Sequence, residues 1–321
     1  MKKKVLIIGG AGFFGFHLCK KLLEKNFKVD IIDNFSKKNS QDRYFLKILK
    51  DKNCKFYKQD FTKIIDIKKF KKNYSFIFNF AAILGVKKVI DNPFDVLKDN
   101  ILIHINSLEI LKINKNSHFF FTSTSEVYAG SLIHNFLRFP TKEDNILALD
   151  KLNNKRSVYM LSKIYCESMC NHFSEKITIL RPHNIYGPRM GNSHVIPELI
   201  QKILNNSLTE KAYSPDHKRT FCYIDDFINF ILHLMNSKSK KKYDTFNIGN
   251  PYEEISIKDL FNKLTKIMRT KKKFLWLNDR HHSPKRRKPS ITKIQKLTRY
   301  KPYHNLNIGL QKTIEWYLKH V

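Results

Sequence analysis

The chain has 321 residues, of which 42% are hydrophobic, and it contains no apolar run near the roughly 18 residues that span a bilayer. Its formal net charge is +32, but the lysines are spread along the whole chain, so we expect neither a nucleic-acid nor a membrane partner. These features predict a cytoplasmic globular protein with one large α/β domain or two smaller ones.

Short apolar runs alternate with helical patterns through the first half of the chain. The runs lack polar alternation, as expected when both faces of a parallel sheet are covered. The predicted strands are Val5–Ile8, Val29–Ile32, Phe56–Tyr57, Phe76–Phe80, Phe119–Phe121 and Ile177–Leu180. The predicted helices between them are His17–Lys25, Asp95–Ile113 and Ser157–Phe173. This order predicts an α/β fold with a doubly wound parallel sheet and right-handed crossovers.

The pattern loosens after Arg181-Pro182. The elements predicted there are the helices Ile196–Leu204, Asp225–Met235, Ile257–Met268 and Ile308–Leu318 and a short strand Thr245–Ile248. We therefore expect a larger domain over residues 1–183 and a smaller C-terminal lobe over residues 184–321, with segments of the lobe returning to the first domain.

The first predicted strand runs directly into Gly9-Gly10-Ala11-Gly12-Phe13-Phe14-Gly15, and a helix follows. Glycines at this spacing permit a tight turn, let backbone N–H groups approach a pyrophosphate and let the helix pack closely on the strand. The helix N-terminus then faces the phosphates. We therefore predict a dinucleotide site built from Gly9, Gly12, Phe13, Phe14 and Gly15.

Acidic residues follow the second and third predicted strands. Asp33 lies about 20 residues after the glycine turn, where a carboxylate accepts hydrogen bonds from the adenosine ribose and repels a 2′-phosphate. This favours NAD over NADP. Asp60 is placed to meet the adenine amine, and we assign Asn34 and Phe61 to the same site. The alternative for both acids is the capping of turns.

The fifth strand leads into Thr122-Ser123-Thr124-Ser125-Glu126-Val127-Tyr128, and the carboxyl ends of parallel strands are where ligands bind in open sheets. Tyr159 and Lys163 follow on a helix, where positions i and i+4 share one face. A lysine one turn from a tyrosine stabilises the phenolate, so we expect Lys163, helped by the positive charge of the oxidised nicotinamide, to lower the pKa of Tyr159 toward neutrality. Such a phenolate takes a proton from a substrate hydroxyl.

With these residues the sequence resembles the extended short-chain dehydrogenases, the NAD-dependent epimerase/dehydratase group, over nearly its whole length. Besides the glycine turn and the Tyr-x-x-x-Lys pair, the matching motifs are Asn79-Phe80-Ala81-Ala82, Arg181-Pro182-His183-Asn184-Ile185-Tyr186-Gly187-Pro188, Arg219-Thr220-Phe221-Cys222-Tyr223-Ile224-Asp225-Asp226, Phe246-Asn247-Ile248-Gly249, Arg287-Lys288-Pro289-Ser290 and Thr313-Ile314-Glu315-Trp316-Tyr317.

The resemblance implies a Rossmann domain that binds NAD over residues 1–183 and a nucleotide-sugar-binding lobe over residues 184–321. It implies that Tyr159 is the base, that Lys163 is its partner and that Thr124 hydrogen-bonds the sugar. Further residues assigned on this basis are Ala81, Ala82, Asn100, Tyr159 and Lys163 for the cofactor and Ser125, Asn184, Arg219 and Arg287 for the nucleotide diphosphate sugar. Arginine forks suit phosphate oxygens.

The resemblance implies a first step common to the group, oxidation of a sugar carbon to a ketone. We expect a nucleotide-sugar epimerase that acts through a 4-keto sugar. The alternative is a UDP-glucuronate decarboxylase or a dehydratase that uses Glu126, because in the decarboxylases and dehydratases an acid often follows the Thr or Ser. Ser125 stands where glucose-type 4,6-dehydratases have Asp, which disfavours that reaction. A regulator that binds NAD without catalysis is the remote alternative.

Three further expectations concern thiols, an insertion and assembly. The five cysteines, Cys19, Cys54, Cys166, Cys170 and Cys222, are scattered and odd in number, which suits free thiols and no metal site. The stretch from Gly130 to Lys155 is longer than expected for the family, so it either shapes substrate selectivity or is a surface insertion. The resemblance also implies a homodimer through the helices Asp95–Ile113 and Ser157–Phe173.

Overall fold

The strands of the protein follow its buried apolar runs. A computed structural model describes residues 2–37, 41–205, 209–237, 239, 241–278 and 284–320. The strands are β1 (Lys4–Ile8), β2 (Lys28–Asp33), β3 (Cys54–Lys58), β4 (Phe76–Asn79), β5 (His118–Thr122), β6 (Ile177–Pro182), β7 (Ile185–Tyr186), β8 (Thr209–Tyr213), β9 (Lys218–Thr220), β10 (Cys222–Tyr223), β11 (Tyr243–Ile248), β12 (Glu254–Ser256), β13 (Lys273–Leu277) and β14 (Arg286–Arg287).

Helices connect most of these strands. They are α1 (Phe13–Glu24), α2 (Arg43–Leu49), α3 (Val86–Asp91), α4 (Pro93–Ile113), α5 (Ala129–Ile133), α6 (Ser157–Asn171), α7 (Val195–Leu204), α8 (Ile224–Met235), α9 (Ile257–Ile267), α10 (Thr292–Thr298) and α11 (Leu306–Leu318).

The largest sheet has seven strands in the order β11-β6-β5-β4-β1-β2-β3. The neighbours from β6 to β3 are parallel, and Val5 of β1 pairs with Val29 on one side and with Phe76 on the other. The strand order reverses between β1 and β4, which is the topological switch point where ligands bind in such sheets. The predicted Rossmann-type doubly wound sheet is therefore confirmed.

Both faces of this sheet are covered. Val5, Leu6 and Ile7 are fully buried and Ile8 is 1% exposed, so successive side chains of β1 are buried although they point to opposite faces. This is why the apolar runs in the sequence show no polar alternation. The candidate site residues stand at or just after the carboxyl ends of these buried strands.

Helix α1 begins at Phe13, four residues before the predicted start at His17. The prediction was late because Gly15, a poor helix former, falls in the first turn and hides the helical pattern. The structure shows why glycine stands there: a Cβ at Gly15 would lie 2.4 Å from the carbonyl oxygen of Gly9. The helix therefore starts at the glycine turn itself.

The chain divides into two compact units. The first comprises Met1–Gly130, Leu147–Arg181 and Ile231–Phe246, and the second comprises Ser131–Ile146, Pro182–Phe230 and Asn247–Val321. The second unit contains the small sheets β12-β9-β14, β10-β7 and β13-β8. The assignment of NAD binding to residues 1–183 and of nucleotide-sugar binding to residues 184–321 stays a prediction.

Candidate active site

The glycine turn after β1 brings backbone segments unusually close together. Gly9 has a φ of +80°, which favours glycine, and its N–H donates to the Ile32 carbonyl at 2.8 Å. A Cβ at Gly9 would lie 2.6 Å from the Ala81 nitrogen. Gly12 is the N-cap of α1, so the helix N-terminus opens onto this turn. A pyrophosphate fits the N-terminus of such a helix, whose first N–H groups have no acceptor within the helix, and the glycines let it approach closely.

Asp33 ends β2 beside the glycine turn. Its carboxylate accepts hydrogen bonds from the Ala11 N–H at 3.0 Å and from the Phe35 N–H at 2.8 Å. The turn-capping role that the sequence left open is thus present. A carboxylate has about four acceptor positions, so Asp33 also has the chemistry to accept hydrogen bonds from ribose hydroxyls.

Asp60 and Asn34 are brought together after β3 and β2. Asp60 accepts hydrogen bonds from the Thr62 N–H at 2.9 Å and from the Thr62 hydroxyl at 2.8 Å. Partial burial raises the pKa of Asp60, but the hydrogen bonds from Thr62 and Asn34 outweigh it and leave that pKa below its ordinary value. Asp60 is therefore a charged acceptor at neutral pH.

Other residues assigned to the cofactor site from the sequence also have structural roles. The Phe61 ring is 4% exposed and packs against Phe70, so any contact with a cofactor involves its backbone. The Asn100 side chain accepts from the Ile83 N–H at 2.8 Å and donates to the Ile83 carbonyl at 3.0 Å. Asn100 thereby holds the loop after β4, which contains Ala81 and Ala82. The Phe13 and Phe14 rings pack together at 5.3 Å in the first turn of α1.

The residues predicted to be catalytic meet after β5. The Thr124 hydroxyl hydrogen-bonds Tyr159 and also accepts from the Glu126 N–H at 3.2 Å, capping a 3₁₀ turn over Ser125–Tyr128. Ser125 is buried in this turn. The structure therefore places Thr124, which follows β5, beside Tyr159 of α6.

Lys163 points toward the end of β5. Its Nζ donates to the Thr122 carbonyl at 2.8 Å and lies 4.8 Å from the Phe121 ring centroid and 5.9 Å from the Tyr159 ring centroid. Burial lowers the pKa of Lys163 to about 8. Burial therefore destabilises the charged form of Lys163 in this position.

The protein side chains alone do not lower the Tyr159 pKa, so the part of the lowering expected from Lys163 is not found, and the part expected from the oxidised nicotinamide stays a prediction. Burial and the negative charge of Glu126 raise that pKa, and the hydrogen bond with Thr124 only partly offsets them. The prediction failed because the Lys163 ammonium is directed at the Thr122 carbonyl rather than at the phenol oxygen. The side chains of the chain therefore keep Tyr159 protonated at neutral pH.

A buried ion pair behind these residues was missed at the level of sequence. Glu167 and Arg181 are joined at 2.6 Å, and the side chains of Ser123 and Tyr128 bond to the pair. Helical spacing could have indicated Glu167, because it lies one turn beyond Lys163 on the same face of α6.

The residues predicted to hold the diphosphate lie in the second unit. Arg287 of β14 pairs with Arg219 of β9 in parallel register, so the two arginines occupy neighbouring strands. The Arg219 guanidinium donates to the carbonyls of Lys218, at 2.8 Å, and Pro284. Asn184 has a φ of 45° and donates through Nδ2 to the Thr220 carbonyl at 2.9 Å. Phosphate binding by these side chains stays a prediction.

Part of the long insertion is fixed within the second unit. The Thr141 N–H donates to the Lys288 carbonyl at 2.8 Å, and the Thr141 carbonyl accepts from the Ser290 N–H at 2.7 Å. Asn247 donates through Nδ2 to the same Thr141 carbonyl at 3.0 Å. The insertion therefore pairs with the segment that follows Arg287.

Candidate metal sites and membrane-spanning helices are both absent from the residues that the structure describes. No group of three or more His, Cys, Asp or Glu side chains in that part of the chain is arranged to hold a metal ion. Nor is any helix within it long and apolar enough to cross a membrane.

Comparison with known proteins gives the same picture. The model of the NAD-dependent epimerase/dehydratase family matches residues 5–249. UDP-glucuronic acid decarboxylase 1 of Xenopus tropicalis is 27% identical over 326 residues, which cover 99% of this chain and 73% of the relative. UDP-N-acetyl-alpha-D-glucosaminuronate decarboxylase of Bacillus cytotoxicus is 28% identical over 340 residues, covering 99% and 98%.

A solved structure agrees with these relatives. UDP-glucuronic acid 4-epimerase from Bacillus cereus, in complex with UDP-glucuronic acid and NAD, superimposes with a TM-score of 0.86 at 27% identity, covering 99% of this chain and all of that one. The chain therefore belongs to the NAD-dependent epimerase/dehydratase family, a family of nucleotide-sugar epimerases, dehydratases and decarboxylases, and is an enzyme whose cofactor is NAD.

Proposed function

We propose that the chain is a nucleotide-sugar epimerase that works through a transient 4-keto sugar. The observation that carries this proposal is the hydrogen bond between Thr124 and Tyr159 at the carboxyl edge of the sheet, in the same unit as the glycine turn. In the proposal Tyr159 takes the proton of the sugar C4 hydroxyl and later returns it, and Thr124 orients that hydroxyl. Epimerisation needs no acid beyond these groups.

The cofactor site divides among residues already described. Backbone N–H groups in the first turn of α1, which begins after Gly12, hold the pyrophosphate, and Asp33 holds the adenosine ribose. NAD, when bound, supplies the oxidant for C4 and a positive charge that favours ionisation of Tyr159. Lys163 keeps the end of β5 in place through the Thr122 carbonyl and adds a second positive charge.

We propose that Asn184, Arg219 and Arg287 bind the nucleotide diphosphate. Glu254 supports this arrangement, because it holds Arg286 through two hydrogen bonds of 2.6 and 2.8 Å. Side chains alternate along a strand, so a fixed Arg286 leaves Arg287 on the other face of β14. Arginine at such a position suits bidentate binding of phosphate oxygens.

The names of the relatives support a narrower substrate class. The two decarboxylases and the 4-epimerase are all named for UDP-linked uronic acids. We propose a nucleotide-linked uronic acid as the substrate, to which a chain of net charge +32 is well suited.

A decarboxylase is the second candidate, and Glu126 favours it. Glu126 is half-buried and close enough to Tyr159 to raise its pKa, so a carboxylate lies beside the reacting group. Once C4 is a ketone, a carboxylate on C5 is a β-keto acid that loses carbon dioxide readily. A negative charge beside it disfavours the retained carboxylate.

We further propose a homodimer formed through α4 and α6. Phe94 and Ile105 of α4 and Tyr165 of α6 are exposed by 73%, 37% and 51%, so both helices present apolar or aromatic surface that a partner subunit could cover. Sedimentation velocity of the purified protein and of a Phe94→Glu, Tyr165→Glu variant tests this. A wild-type monomer at micromolar concentration would refute it.

The reaction is tested by incubating the protein with NAD and a panel of nucleotide sugars that includes UDP-glucuronate. A product of unchanged mass on mass-resolved chromatography supports the epimerase, and loss of carbon dioxide supports the decarboxylase. Tyr159→Phe should lower turnover by about 10²–10⁴-fold without loss of NAD binding. Turnover retained in that variant would exclude the mechanism.

A further inference from the structure

A buried cluster of four polar side chains lies between α6 and the turn that carries Thr124. It consists of Ser123, Tyr128, Glu167 and Arg181, which are between 2% and 5% exposed. They come from the end of β5, the 3₁₀ turn, α6 and β6. The reaction proposed above uses none of them.

An ion pair forms the centre of this cluster. Arg181 Nη2 lies 2.6 Å from Glu167 Oε2, and Arg181 Nε donates to Glu167 Oε1 at 3.0 Å. Two parallel hydrogen bonds fix both the distance and the plane of an arginine–carboxylate pair. Replacing a buried pair by apolar side chains is often neutral or stabilising, so stability alone is a weak reason for one.

The Glu167–Arg181 pair is hydrogen-bonded to residues at both ends of the 3₁₀ turn over Ser125–Tyr128. Arg181 Nη1 donates to the Tyr128 hydroxyl at 2.7 Å, with its guanidinium carbon 5.0 Å from the ring centroid. The Ser123 hydroxyl donates to Glu167 Oε1. Ser123 immediately precedes Thr124, and Tyr128 ends the turn that contains Glu126.

The same pair is fixed to the helix that carries the base. Tyr159, Lys163 and Glu167 are spaced by four residues on α6, so they share one face of the helix. The pair thus joins the face that presents Tyr159 to the turn that presents Thr124.

We propose that Glu167, Arg181 and Tyr128 are positioning residues that set the distance between Thr124 and Tyr159. The proposal rests on the proposed function, because it gives those two residues their roles. An error of about 1 Å in such a contact lowers a rate by as much as ~10²-fold.

Tyr128→Phe tests the proposal with the least disturbance, because it removes one hydroxyl and keeps the buried ring. We expect kcat to fall about tenfold while the KM for the nucleotide sugar stays within about twofold. The matched control is Tyr74→Phe. The Tyr74 hydroxyl is also buried and donates to Asp30 at 2.7 Å, but it lies near the amino end of β4, at the opposite edge of the sheet. That variant should keep kcat within about twofold.

A double-mutant cycle separates positioning from general damage. In a Thr124→Ala background, Tyr128→Phe should lower kcat by less than about twofold, because the contact that it positions is already absent. An unchanged kcat in the single variant, or the same tenfold loss in both backgrounds, would overturn the proposal.

A crystal structure of Tyr128→Phe gives a readout that needs no substrate. We expect the Thr124 hydroxyl to leave hydrogen-bond distance of Tyr159, and an unmoved Thr124 would overturn the proposal. If the wild-type protein turns over no sugar of the panel, the proposed function fails, and this structure still decides the positioning role.

Discussion

At the scale of single residues, the proton on Tyr159 is subject to opposing influences. Burial and the charge of Glu126 raise the pKa of Tyr159, and the hydrogen bond with Thr124 lowers it. Thr124 and Glu126 belong to one turn, and the Thr124 hydroxyl accepts a hydrogen bond from the Glu126 N–H. Two residues of this one turn therefore act on the pKa of Tyr159, the proposed base.

Glu126→Gln removes a negative charge and should lower the pKa of Tyr159. The phenolate is the reactive form and exists above that pKa, so the acidic limb of kcat/KM against pH should move to lower pH. Glu109→Gln, at a side chain 42% exposed on α4, serves as the control and should leave the profile in place. A limb that stays fixed or moves to higher pH would contradict the role given to Glu126.

Burying the charged ammonium group of Lys163 lowers the free energy of unfolding. Its pKa in the folded protein is lowered from 10.5 to about 8, so the unfolded chain binds this proton more tightly. The cost is about 3 kcal/mol below pH ~8, and it disappears as the pH rises toward ~10.5. A charged lysine is retained there despite that cost.

Lys163→Met should reveal this cost directly. At pH ~7 the variant loses the hydrogen bond to Thr122, worth about 1–3 kcal/mol including the unpaired carbonyl, and gains about 3 kcal/mol. Urea unfolding should show that its stability relative to wild type falls by about 3 kcal/mol between pH ~7 and pH ~10.5, and turnover should fall at least ~10²-fold. If the difference in stability between variant and wild type does not depend on pH, burial does not lower the pKa of Lys163.

At the scale of elements, the glycine turn joins β1, α1 and the loop after β4. The contact is backbone to backbone, since a Cβ at Gly15 would lie 2.4 Å from the carbonyl oxygen of Gly9 and 2.5 Å from the Cα of Gly10. Neither atom can rotate away as a side chain can. The first turn of α1 must therefore shift if Gly15 is replaced.

Gly15→Ala should raise the Kd for NAD at least tenfold and lower the free energy of unfolding by about 1–3 kcal/mol. Titration calorimetry and urea unfolding measure the two effects. Gly191→Ala is the matched control, because a Cβ there meets nothing within 4 Å. NAD affinity equal to wild type in Gly15→Ala would show that the turn tolerates the shift.

The elements that the sequence predicted well are those with strong local signals. Buried runs such as Val5–Ile8 predicted the strands, and the glycine spacing predicted the turn. The Glu167–Arg181 pair was not predicted, because its members are 14 residues apart and meet only through tertiary packing. The direction of the Lys163 ammonium could not be predicted either. Helical spacing places two side chains on one face of a helix, but it does not determine which group each of them hydrogen-bonds.

At the scale of the whole molecule, the charge of +32 is distributed rather than concentrated. Lysines stand near the amino ends of sheet strands, for example Lys28 in β2, Lys55 in β3 and Lys241 just before β11, and all three are exposed. The proposed catalytic residues lie at the opposite edge, where Thr124 follows the carboxyl end of β5. A field summed over such charges attracts a dianionic or trianionic nucleotide sugar without any contact.

Salt should therefore weaken capture of the substrate and spare the chemical step. Between about 20 and about 300 mM NaCl, we expect kcat/KM for the nucleotide sugar to fall several-fold while kcat changes less than about twofold. A variant with Lys28, Lys55 and Lys241 replaced by Gln should show a shallower salt dependence, although none of these lysines is near Tyr159. If the slope is unchanged in that variant, local contacts such as those expected of Arg219 and Arg287 set the salt dependence, and the net charge has another origin.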